Sequence, residues 1–232
     1  MYGLAREVRK RLAPLADEKF RAGVFNYFKE TINPIGIRTP EAIKVAKQIL
    51  KENKSASKKE IFGAVDELFA GCIFEEGRAG IAFLEIKEKE LDGEDIPVLE
   101  RFLEKYVDNW AWCDWLCTVI GGLFLRHPKL AGRTRKWNKS KNRWMRRASV
   151  VSFVLPARNG KLHSILLENA VNIIYDEDDL VRKGTGWALR EAAKTDEKRI
   201  VSFLLKRKDA PRVTLRYATE RMEKSVKEKI LK

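Results

Sequence analysis

The sequence predicts an all-α protein. Three observations carry that reading. Apolar residues recur at helical spacing in segment after segment, no stretch sustains a period-2 alternation, and no Asn-Gly or Asp-Gly turn sits between alternating segments, since Asp92-Gly93 follows a helix.

Taken in order, Leu4 to Asp17 reads as an amphipathic helix interrupted by Pro14, and Glu18 to Lys29 as a second, carrying Phe20, Val24, Phe25, Tyr27 and Phe28. The run Asn33-Pro34-Ile35-Gly36-Ile37-Arg38 breaks it. Thr39-Pro40-Glu41 then predicts a helix start, with Thr39 as N-cap, Pro40 at the first helical position and an acid at the positive end of the dipole. Ser57-Lys58-Lys59-Glu60 is a capping box ahead of Ile61, Val65, Leu68 and Phe69. Helices over Phe74 to Glu90 and Val98 to Val107 follow, and they lead to Asn109-Trp110-Ala111-Trp112-Cys113-Asp114-Trp115, which holds three of the six tryptophans.

That stretch predicts a helix capped by Asn109 and free of proline until Pro128. Trp110 and Asp114 fall almost above one another, while Trp112, Trp115, Leu116 and Val119 share the other, core side. Further helices are predicted over Trp144 to Leu155, Leu162 to Ile174, Leu180 to Lys194, Glu197 to Lys206 and Arg212 to Leu231. Short loops and arrival in pairs, one pair per roughly 35 to 45 residues, point to HEAT-like repeats stacked into a curved α-solenoid with a concave basic cleft. A compact helical bundle is the competing architecture. No linker or low-complexity segment interrupts residues 1–232, so one domain is expected.

No run approaches the roughly 18 to 20 apolar residues of a membrane span, and the N-terminus is charged within its first ten residues, so a cytoplasmic protein is expected. Cys72, Cys113 and Cys117 lie in apolar surroundings and read as buried thiols. Only His127 and His163 could complete a metal set with them, so no metal is expected. Net charge is +14, and the excess clusters: Arg133, Arg135, Lys136, Lys139, Lys141, Arg143, Arg146 and Arg147 come without one acid between them. Such a field attracts polyanions, and nucleic acid is the first partner to consider. A solvated basic face in a Lys/Glu-rich protein is the plainer explanation of that run taken alone.

Four places set an unusual residue beside a cation or an aromatic ring. They are Trp110 with Asp114; Arg143, Arg146 and Arg147 around Trp144; Lys183, Trp187, Arg190 and Lys194 at helical spacing beside Gly184 and Gly186; and Tyr27, ahead of Gly36-Ile37-Arg38-Thr39-Pro40-Glu41. Singly, each has a plainer reading: tryptophans are more often core than site, and glycines can serve close packing alone.

Together and in this order, the segments resemble the HEAT-like-repeat alkylpurine DNA glycosylases, the AlkD branch of the DNA alkylation repair family, from about residue 20 to about residue 222. The resemblance implies monofunctional hydrolysis of the N-glycosidic bond of cationic alkylated purines such as 3-methyladenine and 7-methylguanine in duplex DNA, leaving an abasic site. It implies Asp114 as catalytic carboxylate, Trp110 and Trp187 as aromatic walls against the damaged nucleotide, Arg147 as a backbone contact and Tyr27 as a further cleft residue. Arg143, Arg146, Lys183 and Arg190 are the neighbouring cations expected to hold DNA. A monomer acting without metal or cofactor is expected. The rival reading is a catalytically silent helical-repeat module that binds nucleic acid or an acidic partner through the same basic cleft.

Overall fold

A computed structural model describes residues 3–232, and it contains helices and no strand among them. The chain divides into two compact units, one ending at Trp115 and the other starting at Leu116. No helix is long and apolar enough to cross a membrane among the described residues.

The first unit holds α1 (Leu4–Leu12), α2 (Glu18–Phe25), α3 (Thr39–Glu52), α4 (Lys58–Ala70), α5 (Phe74–Ile86), α6 (Ile96–Lys105) and the start of α7 (Trp110–Arg126). Its centre is α5. That helix is buried from Phe74 through Leu84, and α1, α3 and α4 pack against it. Full burial suits its small residues, Gly77, Ala79, Gly80 and Ala82, which let neighbouring backbones approach. Trp112, Phe69, Phe83 and Phe102 complete the core, each contributing roughly 1.5 to 3 kcal/mol through lost apolar surface.

Three charged residues of α5 are buried with it; Glu75 and Glu76 find partners outside the helix, and Arg78 finds one within it. Glu75 accepts the N–H groups of Ile35, Gly36 and Ile37 at 2.9, 2.9 and 3.0 Å. It thereby fixes the turn that reverses the chain between α2 and α3. Gly36 sits there at φ +84°, where a Cβ would also run into the Asp17 carbonyl. Glu76 accepts from Arg9 at 3.0 Å, and Arg78 donates to Glu85 at 2.7 Å.

The second unit holds the rest of α7, then α8 (Thr134–Trp137), α9 (Arg143–Val151), α10 (Val154–Arg158), α11 (His163–Ile173), α12 (Asp179–Leu205), α13 (Arg212–Ala218) and α14 (Lys224–Leu231). Here α12 is the organising helix, contacted by α9, α10, α11, α13 and α14. Gly186 lets α13 lie against it: a Cβ at that position would stand 2.5 Å from Tyr217 Cβ and 2.7 Å from the Thr214 carbonyl.

Several boundaries move from their expected places. Thr39 is the first helical residue of α3 and Arg38 its cap, one position earlier than expected. The predicted Phe74 to Glu90 helix stops at Ile86, and a 3₁₀ turn covers Glu88–Glu90. The helices expected over Leu180 to Lys194 and Glu197 to Lys206 are both present within the Asp179–Leu205 span, parted as expected by a kink at Asp196, whose φ of −151° is non-helical. The Asp196 carboxylate accepts the Arg199 N–H at 3.2 Å and so caps the second half. Arg212 to Leu231 is two helices: the Thr219 hydroxyl turns back onto the Leu215 carbonyl at 2.8 Å, and α14 starts afresh from Glu223 to bury Ile230. Cys113 and Cys117 are buried, but Cys72 is exposed, on a left-handed residue (φ 53°) just past the end of α4.

Candidate functional site

In the first unit the site is built on the N-terminus of α7. Asn109 caps it as expected, its side-chain oxygen accepting the Trp112 N–H at 2.9 Å. Trp112 turns into the core and donates its indole N–H to the Phe74 carbonyl at 3.0 Å, and Phe74 N–H in turn donates to Asn33 at 2.9 Å. The start of α7 is thus tied to α5 and to the loop after α2. With Trp112 locked inward, Trp110 and Asp114 are directed away from the core, both half-buried.

Trp110 forms one wall of an aromatic cavity of about 330 Å³. Phe28 stacks on it with ring centres 5.1 Å apart and planes at 17°, and Tyr27 meets it at 5.8 Å. Tyr27 is 73% exposed, so it borders the opening. Phe20, Val24 and Trp115 supply the other apolar walls. Trp115, expected on the core side, is half-buried and faces this cavity; Trp112, Leu116 and Val119 are buried as expected. Behind Trp115 stands the buried Arg78, its guanidinium carbon 4.7 Å from the ring centre, with Nε and Nη1 making no hydrogen bond. Phe28, Trp115, Arg78 and Glu75 all escape the reading of local spacing. Phe28 had one signal, its place beside Tyr27; the partners of Arg78 and Glu75 come from distant segments.

In the second unit α9 and the N-terminal half of α12 carry the remaining candidates. Asn142 caps α9 by accepting the Trp144 N–H at 2.8 Å. Asp178 caps α12 by accepting from Leu180 at 2.8 Å and Val181 at 3.2 Å. The helices are cross-linked by their charges. Arg143 lies over the Trp144 ring at 4.5 Å and pairs with Asp178 at 3.2 Å. Arg146 grips Asp176 with two nitrogens, at 2.7 and 3.2 Å, and that hydrogen bond raises its pKa above the usual guanidinium value. Arg147 is buried, donates to the Leu180 carbonyl and crowds the space where a Gly184 side chain would stand. Gly184 is therefore what allows an arginine to run between α9 and α12.

Trp187 is half-buried, one turn beyond Lys183. The hydrogen bond to Asp179, at 2.7 Å, raises the Lys183 ammonium above its ordinary value. Arg190 pairs with Glu220 and approaches Glu191 at 3.4 Å. Glu191 is buried; burial opposes its charge, but hydrogen bonds from Arg158 and Lys194 and their positive charges hold it down to about 2. In the basic run, Arg135 pairs with Glu168 at 2.5 Å, whereas Lys136, Lys139 and Lys141 are exposed and have no carboxylate partner among the described residues. No group of three His, Cys, Asp or Glu side chains that could hold a metal ion occurs among the described residues.

The first unit therefore brings Tyr27 and Trp110 together, with Asp114 one turn along. The second brings together Arg143, Arg146 and Arg147 with the helix that bears Lys183, Trp187 and Arg190. The chain matches the model of a family described as DNA alkylation repair enzyme over residues 8–222. A solved structure, described as a predicted DNA alkylation repair enzyme from Enterococcus faecalis, shares its fold with a TM-score of 0.82 at 17% identity, covering 90% of this chain and 97% of that one. Among curated proteins, none matches.

Proposed function

Because the chain belongs to the DNA alkylation repair enzyme family, we propose that it is a monofunctional DNA glycosylase releasing cationic alkylated purines, such as 3-methyladenine and 7-methylguanine, from duplex DNA. The observation that carries this reading is the Asn109-capped start of α7, which sets the Trp110 indole in the wall of an aromatic cavity, with the half-buried Asp114 one turn along the same helix.

N-alkylation places a positive charge on the base and makes it a good leaving group without a strong general acid. As the C1′–N bond breaks, its electron pair neutralises the base and the sugar gains oxocarbenium character. Asp114 is the group suited to stabilise that charge and to orient the water whose oxygen bonds to C1′ as its proton is released. Trp110 and Trp187 offer indole faces that attract a cationic base, by roughly 0.5 to 2 kcal/mol over its neutral parent. Arg147 is the proposed contact to the DNA backbone, with Arg143, Lys183 and Arg190 adding to the attraction and Tyr27 bordering the aromatic cavity.

Asp114→Asn is isosteric and removes only the charge. Release of methylated bases from N-methylated duplex DNA in low-salt buffer falls by about a hundredfold or more in this variant, while DNA affinity is kept. Equal release by both proteins overturns the assignment of Asp114. Tight binding with no release by either leaves a silent DNA-binding module.

A further inference from the structure

A further basic surface in the second unit includes Lys183 and adjoins Arg190 through Glu220. Helices α12, α13 and α14 enclose an open groove of about 730 Å³ lined by Lys183, Arg212, Arg216 and Lys227, with Tyr217 and a single acid, Glu220. Glu220 is already paired with Arg190, so the acid that could neutralise the groove is engaged outside it. Neither Arg216 nor Lys227 has a carboxylate partner among the described residues. Arg212 donates to the Leu231 carbonyl and holds α14 as the far wall.

The groove is built, not incidental. The close approach of α13 to α12 at Gly186 sets the Arg212 and Arg216 turn beside Lys183. Arg212 and Arg216 are four residues apart, about 6 Å along the helix axis, so their guanidinium groups can meet different phosphates of one strand. Tyr217, 37% exposed, adds a flat apolar surface of the kind that suits a sugar or a base.

We propose that this groove is a phosphate-binding site for the DNA backbone, in which Arg212, Arg216 and Lys227 hold a strand independently of any lesion. It rests on the reading above only for the identity of the polyanion. The contacts carry no sequence information and add to affinity through counterion release.

The test is binding of the full chain to undamaged duplex DNA over a range of salt, a readout in which no base is released. Arg216→Gln with Lys227→Gln removes two unpaired charges and leaves the Arg212 contact to α14 intact. The slope of log affinity against log salt becomes shallower by about 1.8, so that between 50 and 200 mM salt the native protein loses about tenfold more affinity than the variant. Glu220→Gln acts in the opposite sense: it removes the one acid, frees Arg190 and tightens binding several-fold. An unchanged slope in the double variant, or weaker binding by Glu220→Gln, overturns the proposal. A protein that binds as described yet releases no base would overturn the glycosylase reading and leave the groove standing.

Discussion

Gly77 lacks a side chain because the buried Trp112 ring occupies the space where one would be. Nothing about its backbone demands glycine, so the constraint is contact alone, and alanine tests it cleanly. Gly77→Ala forces α5 and the first turn of α7 apart, with an overpacking cost of about 1 to 3 kcal/mol. The melting temperature falls by roughly 3 to 10 °C, and indole fluorescence changes as Trp112 shifts. An unchanged melting temperature would mean that the two helices have slack between them. Trp112 in turn helps set the rotation of α7 at this end, its indole N–H bound to the Phe74 carbonyl while Trp110 and Asp114 stay half-buried. Asn109, Trp110 and Asp114 are legible from sequence because a cap and an i, i+4 spacing are local properties. Arg78 and Trp115 are not, since their meeting depends on α5 lying beside α7.

At the scale of elements, α2 stands out because none of its residues is buried. It is held at its start by the Asp17 cap, at 3.0 Å from the Phe20 N–H, and behind by the loop that Glu75 grips. Glu75→Gln replaces one acceptor oxygen with a donor that faces a backbone N–H. At about 1 to 3 kcal/mol for a buried unsatisfied group, amide exchange over residues 18–38 quickens about tenfold or more, while α4 exchanges as before; equal exchange throughout would show that the loop holds itself. Since α2 leads to Tyr27 and Phe28, loosening it also opens the aromatic cavity. The capping box at Ser57 and Glu60 is as the sequence predicts, because its two hydrogen bonds join residues three apart. The division of Arg212 to Leu231 is not legible, because it is decided by where Ile230 can be buried.

Across the whole molecule, charge sets both partner and pH range. The +14 excess coexists with acids that work internally, and Glu191 is one of these, joining α12 to Arg158 of α10 at 2.8 Å. Its folded pKa is lowered from 4.5 to about 2, so the unfolded chain takes up the proton first as pH falls. The stability it contributes is complete above about pH 4.5 and is lost between there and about pH 2. Glu191→Gln is therefore less stable than the native protein at pH 7, by roughly 2 to 3 kcal/mol, and the difference narrows through that window. Denaturant titrations at pH 7, 4 and 2.5 check both points; a constant difference would assign the loss to packing. The all-α organisation is legible throughout because apolar periodicity recurs in every segment, whereas the division at Trp115 lies inside α7 and has no break in sequence to mark it.

The burial of α5 on every side also has a meaning in time. A ribosome delivers α1, α3 and α4 before the helix they share, and until Leu84 has emerged the apolar faces of Ala46, Ile49, Val65 and Leu68 lack the helix that covers most of them. The first half of the chain is then a set of unsheltered amphipathic helices, open to chaperones and proteases alike. A stalled or truncated product ending before Phe74 leaves those faces uncovered, a substrate for clearance instead of a smaller version of the protein.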